Sequence, residues 1–272
     1  MKSGVDPKTI QAFIIDLDGV IWRGESLLPG VEPFFEELKM RSIPYMFATN
    51  NATTTPHAMV QRAQKMGIEI TPEQIITSSQ AAVNFLRKQL PQGSSILMIG
   101  ENGLNEALSE ASFHISTSGK NADAVVVGMD REITWRKMAE AAYAISSGAL
   151  FLGTNSDPSF PTERGLAPGN GAILYALQMT TGIEPIVVGK PEPYLFLQAL
   201  DQLKTLPEQT LVLGDRLTTD IQGGINAGML TALILTGVTS QEDLKDSAIQ
   251  PHIIFENLNH LIRDFWVNPA QS

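Results

Sequence analysis

The densest chemistry in the 272-residue sequence lies at Asp16-Leu17-Asp18-Gly19-Val20, two carboxylates one residue apart ahead of a glycine turn. Such a pair can hold Mg²⁺ through oxygen and still leave one oxygen free to attack. Thr49-Asn50-Asn51 offers a hydroxyl and amides that can hydrogen-bond phosphate oxygens without adding charge. Lys190, set between Gly189 and Pro191, brings an ammonium that could neutralise a phosphoryl group in transfer. Gly214-Asp215-Arg216-Leu217-Thr218-Thr219-Asp220 adds two more acids. Asp215 is placed to complete an all-oxygen metal site, and Asp220 to hold the loop or the metal's waters. Each segment alone also has a plainer reading. Asp-x-Asp-Gly is common in loops, Thr49-Asn50-Asn51 could cap a following helix, a Lys after a strand is commonly solvated, and Asp215 or Asp220 could serve only as a helix cap. Jointly they supply nucleophile, acid, metal ligands, hydroxyl and cation, a set that coincidence explains poorly.

Composition narrows the chemistry. Cysteine is absent, which excludes disulfides, thiolate zinc sites and a Cys nucleophile. His57, His114, His252 and His260 stand away from every motif and form no metal-binding spacing, so carboxylates must hold any metal. With 19 Lys and Arg against 29 Asp and Glu, the net charge of −10 argues against a broad nucleic-acid-binding face. No apolar run approaches the roughly 20 residues that span a bilayer. MKSGVDPKTIQ lacks the apolar core of a signal peptide, so the chain is expected to be cytoplasmic, with neither nucleic acid nor membrane as partner.

The elements that must position these residues follow from hydrophobic pattern. AFIID (12–16), IPYMFAT (43–49), IVVG (186–189), TLVLGD (210–215), TALILTG (231–237) and HIIF (252–255) are short apolar runs that read as strands. VEPFFEELKMR (31–41), PHAMVQRAQKM (56–66), EPYLFLQALDQL (192–203), TDIQGGINAG (219–228) and NLNHLIRDFW (257–266) read as the helices between them. Because the strands are continuous rather than alternating in polarity, both faces should be covered, which predicts an α/β, doubly wound parallel sheet. The motifs then stand at strand carboxyl ends, where such sheets bind ligands. A second alternation, SILMIG (95–100), a helix near Leu104–Glu110, ADAVVVG (122–128), TWRKMAEAAYAI (134–145) and ALFLGTN (149–155), predicts a smaller inserted α/β domain. Its expected span is 91–184, with 1–90 and 185–272 forming the core. Met129, Trp135, Met138 and Tyr143 are expected to pack this domain or its interface.

In this order the four motifs resemble those of the haloacid dehalogenase (HAD) superfamily of phosphohydrolases, and the insertion is similar to its type 2 cap. DLDGVIWRGESLLPG, FATNNATTT, GTNSDPSFPTERGLAPGNGA, VVGKPEPYLF and GDRLTTDIQGGINAGM resemble the NagD-like, p-nitrophenylphosphatase-like branch, and the likeness runs from about residue 12 to about 266. The resemblance implies a Rossmann-like core that hydrolyses phosphomonoesters. Asp16 would become an aspartyl-phosphate, and Asp18 would act as general acid and then as base. Mg²⁺ would be held by Asp16, the backbone carbonyl of Asp18 and Asp215, with Asp220 as a ligand through water or as support for the site. Thr49, Asn50 and Lys190 would cradle the phosphoryl group, with Leu17 beside them.

The inserted domain should decide which small phosphorylated metabolite is accepted. Within its polar stretch 153–171, Asn155, Asp157 and Arg164 are the candidates for substrate contact, although Arg164 also suits a plain surface charge. The resemblance also permits a homodimer formed through the cap. A phosphomutase and a noncatalytic phosphate-responsive domain are the alternatives to a phosphatase, and the paired acids weigh against a dehalogenase.

Overall fold

Four consecutive buried residues make Ala12–Ile15, β1, a strand with no wet face, since a strand with one side in water would alternate. The computed structural model describes residues 5–162 and 164–267. A short hairpin follows β1, β2 (Trp22–Arg23) and β3 (Ser26–Leu27), then α1 (Val31–Met40), β4 (Tyr45–Thr49), α2 (Pro56–Lys65), β5 (Ile75–Thr77) and α3 (Ser78–Gln89). The middle of the chain runs β6 (Ser95–Ile99), α4 (Asn102–Glu110), β7 (His114–Ser116), β8 (Ala124–Val127), α5 (Trp135–Ser146) and β9 (Leu150–Gly153). Next come β10 (Ser159–Thr162), β11 (Gly165–Pro168), α6 (Asn170–Thr181) and β12 (Ile186–Val187). The last third runs α7 (Tyr194–Leu203), β13 (Thr210–Gly214), α8 (Gln222–Asn226), β14 (Leu230–Ile234), α9 (Gln241–Asp246), β15 (Ile253–Phe255) and α10 (Leu258–Ile262).

The chain gathers into two compact units. The first takes the stretch ending at Thr49, Val60–Ile76, and the stretch from Lys190 onward; the second takes Asn50–Met59 and Thr77–Gly189. The insertion expected over 91–184 lies inside the second unit, which also holds α3 packed on α4.

The first unit is built on a sheet of order β15-β14-β13-β1-β4-β5. Its central strand β1 runs parallel to both β13 and β4, and β14 and β15 continue the parallel run. This is the α/β, parallel-sheet class expected from the continuous apolar runs. Helix α1 begins after Gly30, whose φ of +89° suits a residue without Cβ, and buries Val31, Phe34 and Leu38 at helical spacing. Phe34 meets Phe13 of β1 edge-on at 5.6 Å, so the central strand is clamped by aromatic packing.

The second unit has its own parallel sheet, ordered β12-β9-β8-β6-β7. Val125, Val127, Ala141, Ile145, Phe151 and Leu174 share its core, where α5 and α6 cover the strands. Thr134 caps α5 by accepting from the Lys137 amide.

Three expectations are corrected here. IVVG (186–189) is not a strand of the main sheet: Ile186 and Val187 pair with Leu152 and Gly153 of β9 at the edge of the second sheet. Trp135 and Tyr143 do not pack the second unit's core; they are 81% and 62% exposed, on the outer face of α5, while Met138 does pack inward. TDIQGGINAG is not a uniform helix, because a widened turn at Leu217–Ile221 precedes α8. Among the described residues no helix is long and apolar enough to cross a membrane.

Candidate active site

Asp16 follows β1 directly, and its N–H donates to the Leu213 carbonyl at 2.9 Å, one step beyond the strand's regular pairing. Asp215 follows β13, whose Leu213 pairs in register with Ile15 of β1. Two neighbouring parallel strands thus deliver two acids to the same sheet edge. Asp220 comes back to them through the widened turn after β13. One carboxylate oxygen from each of Asp16, Asp215 and Asp220 lies within 4.8 Å of the others. Lys190 reaches into the same place: its Nζ donates to Asp16 Oδ1 at 2.5 Å, to Asp220 Oδ1 at 2.5 Å and to the Ala48 carbonyl at 2.9 Å.

The electrostatics follow from burial. Withdrawal from water pushes the Asp16 carboxyl well above the ordinary carboxylate range, and the charges of Asp220 and Asp215 push the same way against the pull of Lys190. Burial is also the main influence on Asp215, raised to about 6, with Asp220 adding to it and the Val238 amide, Arg216 and Lys190 opposing. For Lys190, burial alone would lower the ammonium, but the facing charges of Asp16 and Asp220 outweigh it and raise it. With all three acids ionised, as a bound cation would favour, three carboxylates against this ammonium leave two negative charges in excess. That surplus, presented on hard oxygen donors, fits a small divalent cation.

A loop that sequence reading did not single out completes the cradle. The Val238 amide donates to Asp215 Oδ2 at 2.6 Å, the Thr239 amide to the Asp215 carbonyl at 3.1 Å, and Thr236 Oγ1 to the Gly19 carbonyl at 2.7 Å. Gly19 and Gly237 let backbone approach that carboxylate: a Cβ at Gly19 would lie 2.4 Å from Asp215 Oδ2, and one at Gly237 only 1.8 Å from it. Gly19 also has a φ of +97°. The visible signal was Thr-Gly at the end of the TALILTG strand, which read only as a strand terminus.

The remaining candidates divide between the two units. Asp18 does not join the carboxylate cluster by its side chain; its Oδ1 accepts from Trp22 Nε1 at 2.9 Å. Leu17 is 1% exposed, so its side chain is core and any contact it makes is through backbone. Thr49 is buried at the end of β4, next to the Ala48 carbonyl that receives Lys190. In the second unit, Asn50 Nδ2 and Asn155 Nδ2 both donate to Asp157 Oδ2, at 3.0 and 2.6 Å. Arg164 joins neither group; it stands exposed in the turn between β10 and β11, its amide donating to Thr162 Oγ1.

Two family models match the sequence, haloacid dehalogenase-like hydrolase over residues 13–114 and HAD-hydrolase-like over residues 187–261. An acid sugar phosphatase of Staphylococcus aureus is 38% identical over 257 residues, which cover 94% of this chain and 98% of the relative. The chain belongs to the haloacid dehalogenase-like hydrolases. NagD from E. coli K-12 matches this haloacid dehalogenase-like hydrolase with a TM-score of 0.84 at 32% identity, over 92% of this chain and 97% of that one. Glycerol phosphate phosphatase from Mycobacterium tuberculosis, solved in complex with magnesium, matches with a TM-score of 0.87 at 35% identity, over 96% and 79%. Within the haloacid dehalogenase-like hydrolases the chain is therefore a NagD-like phosphatase, a hydrolase of phosphoric monoesters.

Proposed function

We propose that this phosphatase acts on small sugar and polyol phosphates, passes the phosphoryl group through Asp16 and uses Mg²⁺ as cofactor. The observation that carries the reading is the buried meeting of Asp16, Asp215 and Asp220 beside Lys190. Asp16, Asp215 and the backbone carbonyl of Asp18 would hold the ion, with Asp220 as a ligand through water or as support. Bound there, Mg²⁺ supplies positive charge that keeps Asp16 ionised and offsets its repulsion from an anionic phosphate. The donor set and its excess charge support this ion, as does the magnesium in the M. tuberculosis relative.

Asp16 forms the new bond to phosphorus as the bond to the leaving oxygen breaks, giving an aspartyl-phosphate. Asp18 passes its proton to that leaving oxygen. It then takes a proton from the water that attacks the aspartyl-phosphate, which releases inorganic phosphate and restores Asp16. Lys190 stays protonated, since both of its carboxylate partners favour the charged form, and it offsets charge on the transferring group. Thr49 and the Leu17 backbone are the neighbouring hydrogen-bonding groups on the same strand ends.

Selectivity among leaving groups is assigned to the second unit, as the family's cap, with Asn50, Asn155 and Asp157 ahead of Arg164. The names of the relatives, acid sugar phosphatase and glycerol phosphate phosphatase, support the substrate class. Phosphate release from p-nitrophenyl phosphate tests the chemistry: it should be abolished by EDTA and restored by Mg²⁺. Comparing kcat/KM across sugar phosphates, glycerol phosphate, phosphoglycolate, nucleotides and pyridoxal phosphate tests the class. No turnover with Mg²⁺ present would end the reading, and a preference for nucleotides would end the substrate assignment.

A further inference from the structure

The tight turn that presents Asp18 also brings a second set of groups to its carboxyl. Trp22 Nε1 donates to Asp18 Oδ1 at 2.9 Å, and Arg62 Nη1 lies 3.6 Å from the same oxygen. The Arg62 guanidinium stacks over the Trp22 ring, 4.6 Å from its centroid, and a terminal nitrogen of Arg62 donates to the Gly24 carbonyl. We propose that Trp22 and Arg62 are positioning residues for the general acid: they fix Oδ1 of Asp18 so that Oδ2 carries the proton given to the leaving oxygen. This rests on the acid role assigned to Asp18 above.

The argument is one of donors and acceptors. An indole N–H and a guanidinium donate and cannot accept. Asp18 Oδ1 accepts the indole hydrogen bond and faces the guanidinium, and neither group offers it an acceptor to which it could give a proton. Oδ1 is therefore the tethered oxygen, and Oδ2 is the one left to face the leaving oxygen. Rigidity strengthens the point, because Trp22 is 1% exposed and its backbone is pinned, with the Trp22 amide donating to the Leu17 carbonyl at 3.2 Å and the Gly19 amide to the Trp22 carbonyl at 2.9 Å. The Asp18 side chain is 57% exposed. Without the indole it would be free to exchange among rotamers, and the proton would be delivered from several directions rather than one.

A leaving-group series separates positioning from general damage. Nitrophenolate leaves without needing a proton, whereas an alkoxide must receive one, so loss of a well-placed acid falls on alkyl phosphates. The Mg²⁺-loaded wild type, Asp18→Asn, Trp22→Phe, Arg62→Met and Trp22→Phe in the Asp18→Asn background should be compared by kcat/KM on p-nitrophenyl phosphate and glycerol phosphate. Trp22→Phe keeps an aromatic ring and deletes the N–H. It should lower kcat/KM about tenfold or more on glycerol phosphate and less than about threefold on p-nitrophenyl phosphate, a fraction of the 10²- to 10⁴-fold worth of a general acid. Arg62→Met should shift the ratio the same way by a smaller factor, and Trp22→Phe should shift it no further once Asp18 is Asn. Equal losses on both substrates, or an unchanged ratio in the folded variants, would overturn the proposal. Should Trp22→Phe fail to fold, Arg62→Met decides. If Asp18→Asn itself leaves the ratio unchanged, the acid role fails, a result distinct from failure of the positioning residues alone.

Discussion

The two parallel sheets end in loops of opposite character. Past β1 and β13, the first unit crowds Asp16, Asp215 and Asp220 around Lys190, with burial raising two of the acids. Past β8 and β9, the second unit places a neutral network: Asn170 Nδ2 donates to the Val127 and Asn155 carbonyls at 3.1 and 2.7 Å, and Thr154 Oγ1 to Asn155 Oδ1 at 3.0 Å. Of the acids there, Asp157 is met by two amides, and the buried Asp130 past β8 is paired with Lys137 Nζ at 2.8 Å. The same strand–helix construction therefore does not dictate charge at its carboxyl edge. Amides and one ion pair suffice to close such an edge, so the excess charge of the first unit answers to chemistry rather than to folding.

Removing charge from the first edge should give the largest effect on turnover and little on stability. Asp16→Asn should lower kcat by about a thousandfold or more, the scale of losing a nucleophile. Its melting temperature in EDTA should stay within a few degrees of wild type, because Lys190 keeps Asp220 and the Ala48 carbonyl while one repelling acid is gone. Turnover within tenfold of wild type would remove Asp16 from the reaction. Gly237→Ala attacks the same edge through the backbone. A Cβ 1.8 Å from Asp215 Oδ2 must displace either the loop or the carboxylate, so we expect about 1–3 kcal/mol of destabilisation by denaturant titration. The Mg²⁺ concentration for half-maximal activity should rise about tenfold or more, as when groups that orient metal ligands are lost.

The second edge should respond in the reverse manner. Asn170 is 1% exposed, and Asn170→Ala strips donors from two buried carbonyls, a loss of about 1–3 kcal/mol. The kcat on p-nitrophenyl phosphate at saturation should remain within about threefold, since no reacting group is touched. A large fall in kcat with unchanged stability would erase the contrast between the two edges.

How much of this could be read in advance depended on distance along the chain and on polarity pattern. Asp16 and Asp215 stood out because each follows an apolar strand, Asp18 and Asp220 because they lie a few residues further along the same motifs, and strand order then brings Asp16 and Asp215 side by side. The partners of those acids were hidden. Thr236 meets Gly19 across more than two hundred residues, a contact that only the β13-β14 neighbourhood creates. Trp22 lies four residues from Asp18, yet reaching it requires the left-handed Gly19 turn. IVVG announced a strand but not its sheet, since Ile186 and Val187 belong to a partly exposed edge that either unit could have used. The hairpin β10-β11 gave no periodic signal because its described residues are largely exposed, Leu166 at 78%.

The smallest effect should come from the charged surface of the second unit, where charge costs little and contributes little. Arg131 forks onto Glu101, with Nε to Oε1 at 2.8 Å and Nη2 to Oε2 at 2.5 Å, while its own side chain stays 67% exposed. Even with good geometry, screening should hold Arg131→Ala to below about 1 kcal/mol. Its pH dependence has a definite sign. The hydrogen bond from Arg131 is the main influence that holds the Glu101 carboxyl below the usual glutamate range. A group depressed in the folded state stabilises above its unfolded pKa and loses that contribution as pH falls through the folded one. The gap in melting temperature between wild type and Arg131→Ala should thus be full at pH 7 and close as pH drops below the ordinary glutamate range. A gap that persists there would mean that Arg131 acts by packing its stem rather than by charge. A gap much larger than about 1 kcal/mol at pH 7 would place this unit's stability in its ion pairs instead of its buried amides, against the division between the two edges.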